Sequence, residues 1–132
     1  MCLYEKMEKL QNIRGAITVT ANNVSLIKIA VKKLISELLR VNKFNVRDIK
    51  TLIFTATDDL NATNPATIAR EEFDLDSVPM LCVQEMKIQG GLPKCIRVMI
   101  EVYTKVNKED LQYVYLEEAT KLRPDLNKKT KT

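Results

Sequence analysis

The sequence of 132 residues contains no histidine and no tryptophan. Without histidine the chain cannot carry a Ser-His-Asp or Cys-His catalytic group, and it lacks the commonest general base near neutral pH. Metal sites built on histidine are excluded for the same reason. An enzyme made from this chain must therefore work with carboxylates, lysine, tyrosine, cysteine or positioned charge alone.

Cysteine and glycine are also scarce. Cys2, Cys82 and Cys95 are odd in number and widely spaced, so they predict no disulfide framework and no CxxC metal pair. The Gly90-Gly91 pair lacks the spacing and the following lysine of a phosphate-binding loop, and it predicts a turn. We therefore expect neither a metal nor a cofactor.

Long apolar runs are absent as well. No stretch approaches the roughly 18 residues that span a bilayer, and residues 1–6 lack the apolar core of a signal peptide. We therefore expect a cytoplasmic protein without membrane contact. The net charge of +4 permits an anionic partner. With aromatic residues at only 5%, a stacking platform for bases is poorly supported, so we do not expect nucleic acid.

The composition, 45% hydrophobic and 29% charged, is that of a single folded domain. We expect an N-terminal extension over residues 1–11, the domain over residues 12–126, and a flexible, lysine-rich C-terminal tail over residues 127–132.

Apolar residues at helical spacing, preceded by the capping residue Asn23, predict a helix over residues 24–42. Alternating β-branched residues predict strands elsewhere. The predicted strands cover residues 13–20, 50–57, 78–86, 94–105 and 116–122, and short helices are predicted at 45–48, 65–73 and 108–114. This order predicts an α+β fold in which a mixed sheet packs against one long and several short helices.

Arg97 is the unusual residue of the predicted strand 94–105. Its neighbours Ile96 and Val98 lie on the aliphatic face, so Arg97 points to the other face. A half-buried guanidinium needs a partner, because an unpaired buried charge is costly. Two interpretations stay open at this point: an internal ion pair with Glu85 or Glu101, or binding of an anionic ligand.

Several blocks of the sequence, in order and with matching spacing, resemble the monofunctional chorismate mutases of the AroH class over about residues 12–126. The blocks are Ile13-Arg14-Gly15-Ala16, Cys82-Val83-Gln84-Glu85-Met86, Gly90-Gly91-Leu92-Pro93-Lys94-Cys95-Ile96-Arg97-Val98-Met99, Val114-Tyr115-Leu116-Glu117 and Leu122-Arg123-Pro124-Asp125-Leu126.

The resemblance implies a homotrimer, arranged as a pseudo-α/β-barrel, with three active sites at the subunit interfaces. It implies an isomerase that rearranges the dianion chorismate to prephenate, in phenylalanine and tyrosine biosynthesis, without a cofactor. That chemistry is a Claisen-type rearrangement, which requires no proton transfer, and it suits a chain without histidine.

The resemblance also implies roles for individual residues. Arg97 would donate to the ether oxygen and a carboxylate of the substrate. Arg14, helped by the Tyr115 hydroxyl, would bind a carboxylate, and Glu85 and Cys82 would meet the ring hydroxyl. The further residues implied around the substrate are Ala66, Thr67, Arg70, Met80, Leu81, Leu122 and Arg123.

Two departures from the family pattern stand near this site. The family pattern close to Phe-Pro-Ala-Lys is Asn64-Pro65-Ala66-Thr67 here, so a lysine and an aromatic wall are missing. The usual Val-Thr before the cysteine is Met80-Leu81. We expect weaker substrate affinity, or compensation by another cation such as Arg70.

Two alternative functions remain. A trimeric deaminase of enamines or imines would have similar architecture and would also use an arginine for a carboxylate. A homologue that binds chorismate or prephenate with little turnover is the other, given the change at Thr67.

Overall fold

The fold is taken from a computed structural model, which describes residues 7–125. Within that range the strands are β1 (Lys9–Thr18), β2 (Ile49–Ala56), β3 (Met80–Gln84), β4 (Cys95–Thr104) and β5 (Val114–Leu116). The α-helices are α1 (Val24–Asn42) and α2 (Pro65–Glu72), and short 3-10 helices cover Val46–Asp48, Lys108–Asp110 and Glu117–Leu122.

The strands form one mixed sheet in the order β3-β2-β4-β1-β5. Its centre is β4, which pairs antiparallel with β1 on one side and with β2 on the other. The outer strands β3 and β5 pair in parallel with β2 and β1. The predicted α+β class is confirmed.

Helix α1 forms where the sequence predicts it. The Asn23 side chain caps it by accepting a hydrogen bond from the main chain of Leu26 (2.9 Å), and it ends at Lys43 in the left-handed conformation. Its apolar stripe packs on the sheet in one core with the inward residues of β1 and β4. At Gly15 an added Cβ would lie 3.0 Å from a Leu38 methyl group and from the Val114 carbonyl oxygen, so only glycine lets β1 approach that closely.

The two α-helices cover one face of the sheet, and the opposite face is called the outer face below. On β4, Ile96, Val98 and Ile100 are buried towards the helices, whereas Arg97 and Met99 point to the outer face. Apolar side chains stay exposed there, most of all Leu10, Ile53, Leu81, Val83, Met99 and Tyr103.

Two predicted elements near the C-terminus are wrong. The helix expected over residues 108–114 is only the 3-10 turn Lys108–Asp110, because Leu111 is extended. The strand expected over residues 116–122 lies instead at Val114–Leu116. Glu117 adopts a left-handed conformation (φ 56°), which ends the strand and starts the 3-10 helix Glu117–Leu122.

The ends of the chain differ from the predictions or fall outside the description. β1 begins at Lys9, which pairs with Thr104, so the sheet starts inside the segment predicted as an extension. Residues 1–6 and the predicted tail, 127–132, lie outside the described residues. Among residues 7–125, no helix is both long and apolar enough to cross a membrane.

A buried asparagine ties α1 to the segment before β5. The Asn42 amide donates to the Leu38 and Gln112 carbonyl oxygens (3.1 and 2.9 Å) and accepts from the Gln112 main-chain nitrogen (2.7 Å). Asn42 is only 4% exposed, so its partners would lose hydrogen bonds in a dry environment without it. This contact fixes where β5 enters the sheet.

Replacing Asn42 tests that anchor. Asn42→Ala should lower the free energy of unfolding by roughly 2–3 kcal/mol, because it leaves buried main-chain groups of Gln112 unpaired. Urea denaturation followed by circular dichroism measures this loss. Gln112→Ala is the matched control, since Gln112 contributes only its main chain, and equal losses in both variants would contradict the anchor.

Candidate active site

The predicted site residues fall into two groups, and the first lies on the outer face at one end of the sheet. The strand register aligns Val83, Thr55, Arg97, Ala16 and Tyr115 in one row across all five strands. This row carries a cation, two hydroxyl groups and small or apolar residues between them.

Arg14 stands in the next row of the same face. It pairs with Met99, two residues beyond Arg97 on β4, so it is the diagonal neighbour of Arg97, at roughly 7–8 Å between Cα atoms. The same two-residue offset makes Arg14 the diagonal neighbour of Tyr115 on β5. Within residues 7–125 the exposed Arg14 side chain has no ion-pair partner. The structure thus brings two arginines and a tyrosine hydroxyl onto one patch.

Glu85 meets Arg97 from the β3 side. Oε2 of Glu85 lies 3.7 Å from Nε of Arg97, and the two side chains are 24% and 36% exposed. The Thr55 hydroxyl donates to the same Oε2. Of the two partners considered for Arg97, Glu85 is therefore the one in contact. Glu101 lies four residues along the strand, about 13 Å away, and accepts from Thr51 (3.5 Å).

The ion pair with Glu85 does not satisfy Arg97. Its Nε is buried and makes no hydrogen bond to any of the described residues. Buried hydrogen-bond donors without a partner are rare in folded proteins, and they often mark functional sites. The guanidinium lines a cavity of about 160 Å³ with Glu85, Cys95, Thr57 and Leu92. The arrangement offers a cationic donor to a small anionic ligand.

The start of β4, just before Arg97, is held by a polar network. Asp59 accepts from the Lys94 main-chain nitrogen with both carboxylate oxygens (3.1 and 3.0 Å). The Thr57 hydroxyl donates to Asp59 and accepts from the Cys95 main chain (3.0 Å). Burial raises the pKa of the Cys95 thiol, and the nearby Arg97 charge opposes that shift to a smaller extent. Cys95 is thus a neutral, packed neighbour of the site.

A small second core supports the tyrosine side of the row. Ala16, Cys95, Tyr115 and Ala119 are buried together, with Leu92 and Leu122 packed against them. Arg123 chelates Asp125 with Nε and a terminal nitrogen (3.1 and 3.0 Å). This contact, and less strongly the Tyr115 oxygen, raises the pKa of Arg123.

The second group of predicted residues belongs to α2 and β3, and most of it lies on the helix side of the sheet. Cys82 pairs with the inward Phe54 and packs near Ala66 of α2. Burial raises the pKa of its thiol, and a hydrogen bond from the Ala66 main chain lowers it to a smaller extent. Cys82 lines a cavity of about 360 Å³ with Asn64. Thr67, Arg70 and Met80 belong to α2 and β3, and Leu81 is exposed on the outer face.

Within residues 7–125, Arg97 and Cys82 line two different cavities, and Thr57 and Asp58 line both of them. A larger cavity of about 470 Å³ lies beside α1 and shares Leu92 with the cavity of Arg97. Two of its lysines, Lys33 and Lys121, form ion pairs with Glu117 and Glu118.

Sequence reasoning missed Thr55, Thr57 and Asp59. Threonine in a strand is ordinary, since β-branched residues favour strands, and Asp59 stood in a predicted loop. The one available signal was the spacing of Thr51 and Thr55, which places both hydroxyl groups on the same face of β2.

The chain matches a known protein family over most of its length. The family model described as "Chorismate mutase type I" matches residues 10–126. The chain belongs to this family. The predicted resemblance is thereby confirmed, and the deaminase-like alternative is not favoured.

Related type I chorismate mutases match nearly the whole chain. The "Chorismate mutase AroH" of Bacillus subtilis (strain 168) is 40% identical over 118 residues, covering 89% of this chain and 93% of that protein. The protein of the same name from Thermus thermophilus is 36% identical over 118 residues, covering 89% and 96%. A solved chorismate mutase from Clostridium thermocellum, Cth-682, has a TM-score of 0.80 at 40% identity, covering 83% of this chain and 97% of that one.

Proposed function

We propose that this chain is an isomerase that rearranges chorismate to prephenate, with Arg97 as its electrostatic centre. The observation that carries the proposal is Arg97, whose side chain lines a cavity beside Glu85 and whose buried Nε lacks a hydrogen-bond partner in the described part of the chain. In a member of the type I chorismate mutase family, such a donor suits a substrate that carries two carboxylates and an ether oxygen.

The reaction requires stabilisation of negative charge and a compact conformation of the substrate, and it requires no proton transfer. One C–O bond breaks while one C–C bond forms within the same molecule, so nothing is added or removed. Negative charge grows on the ether oxygen, where the Arg97 guanidinium stabilises it. Enzymes at the low end of rate acceleration supply roughly 8 kcal/mol, and one donor supplies about 3–4 kcal/mol. Further residues are therefore needed beside Arg97 to hold the substrate in its compact form.

These further residues are the neighbours of Arg97 on the outer face. Arg14, the diagonal neighbour of Arg97 and Tyr115, binds a substrate carboxylate together with the Tyr115 hydroxyl. Arginine suits this role because its planar fork binds a carboxylate through two hydrogen bonds. Glu85 accepts from the ring hydroxyl of the substrate. Arg123, beside Tyr115, partly closes this side of the site.

The second group of residues joins the site from another copy of the chain, in a homotrimer. Support comes from the outer face, where Leu81 and Val83 are 64% and 46% exposed next to Ile53 and Met99. A sheet face of this kind is normally covered by another layer. Packing between copies would bring Cys82 and Arg70 of one subunit towards Arg97 of the next, and would complete a pocket that one chain leaves open.

The cytoplasmic location expected from the sequence stays a prediction. A chorismate-binding homologue with little turnover remains the second candidate, because Thr67 replaces the lysine of the family pattern. A turnover assay separates the two.

The first test is turnover itself, with Arg97→Ala beside the unaltered chain. The purified protein should consume chorismate, seen as loss of its ultraviolet absorbance, and Arg97→Ala should lower kcat at least about a hundredfold, because an oxyanion donor is lost. The melting temperature and the assembly size should stay nearly unchanged.

The matched control is Arg47→Ala, which removes an exposed arginine outside both groups. It should leave kcat unchanged. A folded, unaltered protein without turnover would overturn the proposed function. Loss of assembly or a large drop in melting temperature in Arg97→Ala would instead assign Arg97 to a structural ion pair with Glu85.

A second test restores the missing cation. Thr67→Lys should lower KM for chorismate by a factor of roughly two to five, since a partly exposed ion pair contributes up to about 1 kcal/mol. Thr67 is half-buried on α2, where the lysine ammonium can reach a carboxylate. Steady-state kinetics measures KM, and kcat should change little.

Ser36→Lys is the control for that change, because it adds the same charge on the exposed face of α1. An equal fall in KM in both variants would mean that net charge alone attracts the dianion. An unchanged KM in Thr67→Lys would contradict a carboxylate site at the α2 end of the pocket.

A further inference from the structure

The main chain of Glu85 is fixed by the sheet. Its main-chain nitrogen donates to the Ala56 carbonyl oxygen (2.8 Å), one step beyond the last β2–β3 pair. The side chain then has three rotatable bonds between this fixed point and the carboxylate. A further contact must therefore fix the position of the carboxylate relative to Arg97.

Thr55 supplies that constraint from the adjacent strand. It pairs directly with Arg97 in the β2–β4 register, and its hydroxyl donates to Oε2 of Glu85. Threonine is stiff at its first side-chain torsion, so the hydroxyl position is well defined. The same carboxylate oxygen faces Thr55 and Arg97, whereas Oε1 of Glu85 accepts no hydrogen bond within residues 7–125.

The length of the Glu85–Arg97 contact follows from this competition. At 3.7 Å, Oε2 is too far from Nε for a hydrogen bond, although opposite charges attract the two groups. The hydroxyl contact holds Oε2 from the β2 side while this separation is kept. A closed, charge-assisted pair would occupy the donor that Arg97 otherwise keeps unpaired.

We propose that Thr55 is a positioning residue, which holds Glu85 apart from Arg97 and so keeps the partly exposed Arg97 guanidinium free to bind the substrate. The proposal rests on the proposed function, because it names a further residue needed for the same rearrangement. Thr55 contacts Glu85 through its hydroxyl, so its effect on the reaction is assigned to the carboxylate.

The test compares Thr55→Val with Thr55→Ser in the chorismate assay. Valine keeps the branched shape and removes the hydroxyl. Thr55→Val should lower kcat about tenfold, because small errors in the placement of reacting groups cost that much or more. KM should change less than kcat, since the donor acts mainly in the transition state. Thr55→Ser, which restores the hydroxyl, should recover most of the lost turnover.

Thr51→Val is the matched control on the same face of the same strand. The Thr51 hydroxyl also faces a carboxylate, that of Glu101 (3.5 Å), but it lies four residues, or two strand repeats, away from the residue that pairs with Arg97. Its kcat should equal that of the unaltered chain. An equal loss in both valine variants would show that β2 threonines act through the stability of the sheet, and would overturn the proposal.

A double-mutant cycle with Glu85→Ala isolates the route of the effect. If Thr55 acts only through Glu85, then Thr55→Val should lower kcat no further once Glu85 is alanine. Additive losses, or an unchanged kcat in Thr55→Val, would contradict the positioning role. An unaltered chain that fails to consume chorismate would overturn the proposed function instead, so the two failures are distinguishable.

Discussion

The double pairing of β4 is the constraint on which the rest of the structure depends. Because β4 lies between β1 and β2, Arg97 has a neighbour on each side in a fixed register, Ala16 and Thr55. The helices bury one face of this strand, so every second residue must face the outer side. The half-buried position of the Arg97 cation in the middle of the sheet follows from that geometry, and its Nε makes no hydrogen bond within residues 7–125.

Much of the fold could be predicted from the sequence in segments where one hydrophobic period dominates. Helix α1 and the alternation on β4 are such signals, and the alternation placed Arg97 on the correct face. The partner of Arg97 could not be chosen in advance, because Glu85 becomes its neighbour only when β3 pairs with β2. The turn at Glu117 was missed because its left-handed conformation depends on local contacts and leaves no pattern in the sequence.

The departures from the family pattern also have physical consequences. Asn64, where the family pattern has an aromatic residue, caps α2 by accepting from the Ala66 main chain (2.9 Å), so it gives the helix a defined start. Thr67 replaces the lysine of the family pattern, and the threonine side chain does not restore the missing positive charge. The exposed cation nearest along the same helix is Arg70, which forms no ion pair within the described residues. The α2 helix thus has a capped N-terminus, and the proposed site has one cation fewer than the family pattern.

The central claim is that Arg97 of one subunit and the α2 group of another complete one site. Mixing Arg97→Ala chains with Arg70→Ala chains under conditions that exchange subunits tests it directly. Exchange should give trimers of about 45 kDa, three times the 15.1 kDa chain. In a random 1:1 mixture about one quarter of the shared sites contain both arginines, and turnover should rise to about that fraction of the unaltered level. Turnover no higher than the average of the two parents would contradict a site shared between subunits.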